Sequence, residues 1–229
     1  MAPTITSVIS QCTWNDTSLA SVNKTVGDGL LIMFVQTGSA APTIDGSAMD
    51  KLFDSYFVDV YTKEVTSGTY AIASSGNSRF YQLIHITEST IYVDGEYNYT
   101  ITPPARSITV DYSGGEEVCI GFNYWQTGED WSGSVTPPTE FTELVDVNSV
   151  GSGNDWRHGQ EVCYRVSGSS PVSATFTVSH NLVSSCVNDG IILEFSSSDV
   201  LKVSTVERSS IGKVSNVAIG DIDKISGVH

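Results

Sequence analysis

Apolar and polar residues alternate with a period of two along most of this chain, and helical periodicity is nearly absent. In Arg106-Ser107-Ile108-Thr109-Val110-Asp111-Tyr112 and Ser173-Ala174-Thr175-Phe176-Thr177-Val178-Ser179, the apolar side chains fall on one face and Ser, Thr or Asp on the other. Such segments predict half-buried antiparallel strands. Turn-forming clusters punctuate them at Thr37-Gly38-Ser39, Ser75-Gly76-Asn77, Ser113-Gly114-Gly115, Gly151-Ser152-Gly153-Asn154 and Asn188-Asp189-Gly190. The rhythm predicts an all-β fold, an antiparallel β-sandwich of jelly-roll type.

A longer repeat underlies the strands. Gly29-Leu30-Leu31-Ile32-Met33-Phe34-Val35-Gln36-Thr37-Gly38 parallels Glu117-Val118-Cys119-Ile120-Gly121-Phe122-Asn123-Tyr124-Trp125-Gln126-Thr127-Gly128, and both close on Gln-Thr-Gly. Val58 to Tyr70 likewise parallels Glu161 to Gly168 with Ser173 to Phe176, and each is followed by a strand of large apolars, Phe80 to Ile86 and Ile191 to Phe195. The body, residues 1–196, therefore divides into similar halves of about 1–104 and 105–196. These form either tandem sandwiches or the two interleaved halves of one.

Beyond the body the pattern changes. Residues 197–209 read as a linker with a short strand at Val200 to Val206. Residues 210–229 hold a repeat of eleven residues, in which Ile211, Lys213, Val214 and Val217 return as Ile222, Lys224, Ile225 and Val228. That period is too short for a packed domain, so the tail needs a partner surface. The expected surface is a further copy of the chain, with Ile211, Val214, Val217, Ile222, Ile225 and Val228 as the oligomer contacts.

Composition narrows the partners. Of 229 residues 40% are apolar, which argues against disorder. The 26 acidic and 11 basic residues give a net charge of -15. Phosphate binding needs clustered Lys and Arg, so nucleic acid is not expected as a partner. Anionic membrane surfaces are not expected as partners on the same ground, and the longest apolar run, Leu30 to Val35, is too short to span a bilayer. The surface suits either salty surroundings or an ordinary acidic secreted or virion protein. The N-terminal Met1-Ala2-Pro3-Thr4-Ile5-Thr6 has neither the basic start nor the apolar core of a secretory signal.

Candidate chemistry is sparse. There is no G-x-S-x-G elbow, no H-E-x-x-H and no P-loop, and Gly27-Asp28-Gly29 lacks the third glycine of a dinucleotide site, so no enzyme activity and no cofactor are expected. Cys12, Cys119, Cys163 and Cys186 have no metal-site spacing; core thiols or a Cys119–Cys163 or Cys163–Cys186 bridge fit them. Asp45-Gly46-Ser47 with Asp50 and Asp54, and Asn188-Asp189-Gly190, offer oxygen ligands for Ca²⁺, or are solvated turns. The glycine-rich segment Gly151 to Gly159, with Trp156, Arg157 and His158, is the best candidate for a recognition loop. Together with Trp125 and Trp131 it offers stacking faces for a sugar or an anchor for a protein, unless these rings only cover the end of the sandwich.

Two resemblances give these features a setting. The tail pattern Ile-x-Lys-Val/Ile-x-x-Val, carried by Ile211 to Val217 and Ile222 to Val228, resembles the ends of structural proteins of tailed viruses of bacteria and archaea, with Asn216-Val217 in place of the usual Gly-Val. Val26-Gly27-Asp28-Gly29-Leu30-Leu31, Val58-Asp59-Val60-Tyr61 with Ser67-Gly68-Thr69, and Pro137 to Leu144 leading to Val162-Cys163-Tyr164-Arg165-Val166 resemble a jelly-roll domain of phage-encoded virion proteins. The resemblance implies a non-enzymatic protein of the virion surface, assembled in the host cytoplasm: a capsid decoration, turret, head-fibre or tail-fibre subunit. Its implied partners are itself, as a trimer or pentamer, and major capsid or tail proteins. The alternative is a carbohydrate- or receptor-binding module that contacts host surface glycan through Trp125, Trp131 and Trp156.

Overall fold

A computed structural model describes residues 3–87, 90–101, 107–113, 118–127, 135–149, 157–166, 173–178, 186–197, 213–214 and 217–218, and among them every regular element is a strand. The first seven are β1 (Ile5–Val26), β2 (Gly29–Gln36), β3 (Thr43–Ile44), β4 (Ser47–Ala48), β5 (Asp50–Asp54), β6 (Val58–Val65) and β7 (Gly68–Thr87). Eight more follow: β8 (Thr90–Thr100), β9 (Ser107–Asp111), β10 (Val118–Thr127), β11 (Val135–Thr136), β12 (Thr142–Ser149), β13 (Arg157–Val166), β14 (Ser173–Val178) and β15 (Cys186–Ser197). The tail adds β16 (Lys213–Val214) and β17 (Val217–Ala218).

Local sequence explains the strand types. In β9 and β14 buried and exposed residues alternate, as a sheet with one wet face requires. In β2 the run Leu30 to Val35 is buried on both faces, because layers pack on either side of it. The turn between β3 and β4 is Asp45-Gly46, with φ of 49° and 78°. Positive φ at both central residues is what a tight two-residue hairpin needs, and the Asp45 carboxylate accepts the Ala71 amide at 2.7 Å.

Among the described residues all pairing is antiparallel, and its pattern occurs twice. The first sheet has seven strands, in the order β5-β6-β2-β7-β3-β4 with β1 also paired to β7, and the second has five, in the order β12-β13-β10-β15-β8. Each central strand, β2 or β10, thus lies between the two strands that the sequence repeat aligns. The long β1–β7 ribbon shifts register between Cys12 and Val22, so that residues 5–12 pair with 80–86 while 22–26 pair with 68–72. In the second half the same ribbon is cut in two, as β8 on β15 and β9 on β14. Even the short strand matches: β3 adds to β7, and β11 to β14.

Two expected boundaries shift. The halves divide beside residues 88–89, not 104–105, because β8 pairs with β15 and so belongs to the second half. The body extends to Ser197, one residue further than expected, because Ser197 still pairs with Thr90. The expected strand at Val200 to Val206 lies outside the described residues.

Three cores hold these layers. The largest lies between the seven-stranded and the five-stranded sheets, where Ile32, Phe34, Val60, Phe80 and Ile84 meet Ile120, Phe122, Tyr124, Val162 and Leu193. On the other face of β2, Leu31, Met33 and Val35 pack with Leu19, Val26 and Ile72 of the folded-over ribbon. On the other face of β10, Cys119 and Trp125 pack with Ile108, Val110 and Phe176 of the three-stranded sheet β11-β14-β9. Each such buried aliphatic or aromatic contributes about 1.5–3 kcal/mol. Cys119 and Cys163 belong to this third core, and Arg165 donates a hydrogen bond to the Cys119 sulfur. The register rules out the bridge between these two cysteines, since Cys163 stands opposite Gly121 and Cys119 opposite Arg165.

Candidate functional site

The seven-stranded and five-stranded sheets face each other across two seams. At one, β1 lies against β12. At the other, β5 and β8 flank a cavity of about 440 Å³, lined from the first half by Leu30, Asp50, Leu52, Lys63 and Glu64 and from the second by Tyr92. Lys63 reaches Asp50 at 3.9 Å, while Lys51 is drawn inward to the buried Asp59 at 3.1 Å. That hydrogen bond to Asp59 raises the Lys51 pKa above its ordinary value.

Beside the cavity the rings line up. Tyr97 and Tyr99 on β8 stand 6.4 Å apart at 17°, and Tyr56, in the turn between β5 and β6, stacks on Tyr99 at 4.4 Å and 12°. Phe53 of β5 meets Tyr97 edge-on at 6.0 Å. Close approach here requires Gly95, where an added Cβ would lie 2.7 Å from the Tyr92 hydroxyl and 3.0 Å from Phe53. The exposed large apolar residues among those described are Tyr56 (51%), Val93 (42%), Tyr97 (44%), Tyr99 (39%) and Ile101 (55%). All five belong to β8, its end, or the ring stacked on it. Concentrated apolar exposure of this kind marks an interaction surface.

The turn that carries Tyr56 is held by the opposite half. Asp189 on β15 accepts hydrogen bonds from the Ser55 hydroxyl at 2.7 Å and the Phe57 amide at 2.9 Å. Burial pushes its carboxyl up to about 6 despite those two donors. Of the oxygen atoms expected from sequence to be available to Ca²⁺, Asp45 Oδ1 and Asp189 Oδ2 each accept a hydrogen bond that holds a turn.

A second acidic group lies inside the second half. Glu161 on β13 is fully buried, both its oxygens lack hydrogen-bond partners, and Asp146 of β12 stands directly opposite in register. Burial, with added repulsion from Asp146 and Glu143, pushes its carboxyl up to about 8. It is a neutral acid at pH 7.

Of the residues expected to recognise a ligand, Trp125, Arg157 and His158 lie together at the paired ends of β10 and β13, but the structure encloses Trp125 and His158. Trp125 and His158 are each 1% exposed, so neither offers a face to solvent. Trp125 points into the third core because β10 alternates its faces, and Gly159 opposite leaves room for the indole. His158 lies against Tyr124, their rings 6.3 Å apart. Arg157 opens β13, so the expected loop is already strand from residue 157 onward. Trp131 and Trp156 lie outside the described residues. Of the tail contacts, Val214 and Val217 pair in register across β16 and β17, and Ile211, Ile222, Ile225 and Val228 lie outside the described residues.

The seam tyrosines carry little signal in the sequence. Tyr97-Asn98-Tyr99 on a strand did show two rings on one face, but alternation cannot tell a ring bound for the core from one left outside. Tyr56 joins them only through the pairing of the sheets.

The class these observations define is an all-β protein of packed antiparallel sheets. Against known protein families, curated proteins and solved structures, the chain finds no match.

Proposed function

We propose that this protein is a non-enzymatic structural subunit of a tailed-virus surface, a capsid decoration, turret or fibre component, with each half of its body a jelly roll. Its work is assembly: a stiff body that displays itself, and a tail that joins copies. The observation that carries this reading is the pairing of the two described tail strands with each other. The two halves cover each other's inner sheet faces, and among the described residues β16 and β17 pair with each other and not with a strand of the body. At about 1.5–3 kcal/mol for each buried aliphatic, Ile211, Val214, Val217, Ile222, Ile225 and Val228 supply enough to hold neighbouring copies together.

Light scattering on the chain with residues 207–229 removed tests the reading. A soluble monomer is expected where the full chain is an oligomer; an oligomer of unchanged mass would refute it. The rival reading, glycan recognition through tryptophans, ranks behind because Trp125 and His158 are enclosed.

A further inference from the structure

We propose that Asn123, Glu161 and Asp146 form a site for one hard cation, Ca²⁺, inside the second half of the body. The three stand in a single register row on adjacent strands: Asn123 of β10 lies opposite Glu161 of β13, and Glu161 lies opposite Asp146 of β12. Side chains paired in this way share one face of the sheet, with Cβ atoms about 4.5–5.5 Å apart. Asn123 and Glu161 are both fully buried.

The row gathers acceptors and gives them no donor. Asn123 Oδ1, Asp146 Oδ1 and both carboxyl oxygens of Glu161 are enclosed without a hydrogen-bond partner. Each buried acceptor left so costs about 1–3 kcal/mol, and a row of them calls for a shared positive partner. Asn123 supplies the direction. Its amide nitrogen donates to Asn188 Oδ1 at 2.6 Å and to the Asp189 carbonyl at 3.1 Å, both on β15. β10 lies between β15 and β13, so a planar amide with its nitrogen turned to β15 presents Oδ1 towards β13 and Glu161.

Charge and ligand chemistry agree with an ion of this kind. Glu143 stands opposite Cys163 on the same face of β13 and adds a third carboxylate close enough to repel Glu161. Arg165, on that face as well, is held over the Tyr112 ring and reaches Glu140 at 3.7 Å. Ca²⁺ takes six to eight oxygens from carboxylates, amide carbonyls and water, whereas Mg²⁺ keeps several waters of its own and suits an enclosed row less well. The row supplies at least half of such a shell, and the half-buried Asp146 on β12 leaves a side open for entry and for water. Asp146 also accepts the Val135 amide of β11. An ion here therefore ties β12 and the centre of the five-stranded sheet to the three-stranded sheet. Ligation takes the carboxylate form of Glu161, so the neutral acid described above belongs to the metal-free chain.

The full-length chain, stripped with EDTA and titrated with CaCl₂, tests the proposal. Ca²⁺ should raise the thermal midpoint of the parent in a concentration-dependent way. Trp125 lies two residues from Asn123 on the same face of β10, so Tb³⁺ bound in place of Ca²⁺ should luminesce on tryptophan excitation and be displaced by Ca²⁺. Glu161→Gln and Asp146→Asn keep the shape and each remove one charge; each should weaken Ca²⁺ by at least about tenfold, with the near-ultraviolet circular dichroism of the parent. Asp50→Asn/Asp54→Asn removes exposed carboxylates from the first half and should leave the affinity unchanged. The proposal is overturned if Ca²⁺ does not stabilise the parent, if either row variant binds it as tightly as the parent does, or if the Asp50/Asp54 variant is the one that loses it.

Discussion

Phe34 and Phe122 stack with their ring centres 4.5 Å apart and their planes within 5° of parallel. They hold matching places in the two halves: each closes a Leu/Val-x-Ile-x-Phe run on the central strand of its sheet, and each stands opposite a valine, Val60 or Val162. Equivalent residues meet each other face to face where a local two-fold relates the parts that carry them. The edges agree with this, since β1 lies against β12 at one seam and β5 and β8 flank the other.

Both rings are fully buried, so removing either opens a cavity at the centre of the largest core. Phe34→Ala and Phe122→Ala should each lower unfolding free energy by about 3–5 kcal/mol. The rings share one contact, so the double variant should lose less than the sum of the two. Urea unfolding of the four chains measures this. Strictly additive costs, or single costs below about 1 kcal/mol, would show that the halves do not meet there.

Glu161 makes stability depend on pH in a definite direction. Its folded pKa is about 8, against an ordinary value of 4.5. Between those pH values the folded chain keeps a proton that the unfolded chain releases, so the group's contribution falls as pH rises, by up to about 1.4 kcal/mol per pH unit. Above pH 8 the buried carboxylate is charged, with Asp146 and Glu143 nearby. Glu161→Gln keeps the shape and removes the charge. Its stability relative to the parent should therefore improve steadily from pH 5 to pH 8, as read by urea midpoints. A constant difference across that range would mean that Glu161 is ionised throughout.

Gly159 faces Trp125 so closely that an added Cβ would lie 2.2 Å from the indole. The crowding atoms belong to a rigid ring 1% exposed, so neither partner has room to move. Gly159→Ala should cost roughly 3 kcal/mol, at the upper end of overpacking, and should change the near-ultraviolet circular dichroism that reports a packed tryptophan. A variant as stable as the parent would place Trp125 elsewhere.

The fold was largely legible in sequence because period-two alternation is a local property. Ile108 and Val110, or Ala174 and Phe176, announce their buried face without reference to anything distant. The repeat of β2 in β10 was visible for the same reason, and the pairing of both central strands follows it. What stayed hidden depends on contacts between distant segments. Trp125 and His158 sit beside polar, glycine-rich residues that resemble a recognition loop, and only the register of β10 with β13 shows that they are enclosed. Tyr56, Tyr97 and Tyr99 become a surface only when β5 and β8 are placed at the same seam. The division of the halves was misplaced because β8 follows β7 without a turn signal strong enough to mark the crossing from one sheet to the other.

Asp189 joins the two halves at that seam, and its removal should loosen the aromatic row without unfolding the body. Its carboxylate accepts from the Ser55 hydroxyl and the Phe57 amide, which bracket Tyr56. In Asp189→Ala both donors lose their acceptor, at a cost of about 1–3 kcal/mol. Tyr56 should then leave Tyr99, seen as weaker tyrosine circular dichroism and faster proteolytic cleavage between β5 and β6. Asp189→Asn keeps one accepting oxygen and should retain most of the stacking. The folded pKa of about 6 lies above the ordinary 3.8, so the carboxyl's contribution to stability falls as pH rises from about 4 to 6 and is level above that. The gap between parent and asparagine variant should move in the asparagine's favour over the same interval. If Asp189→Ala instead leaves the tyrosine signal and the cleavage rate unchanged, the turn is held by the stacking of Tyr56 itself and the carboxylate is only a buried acid.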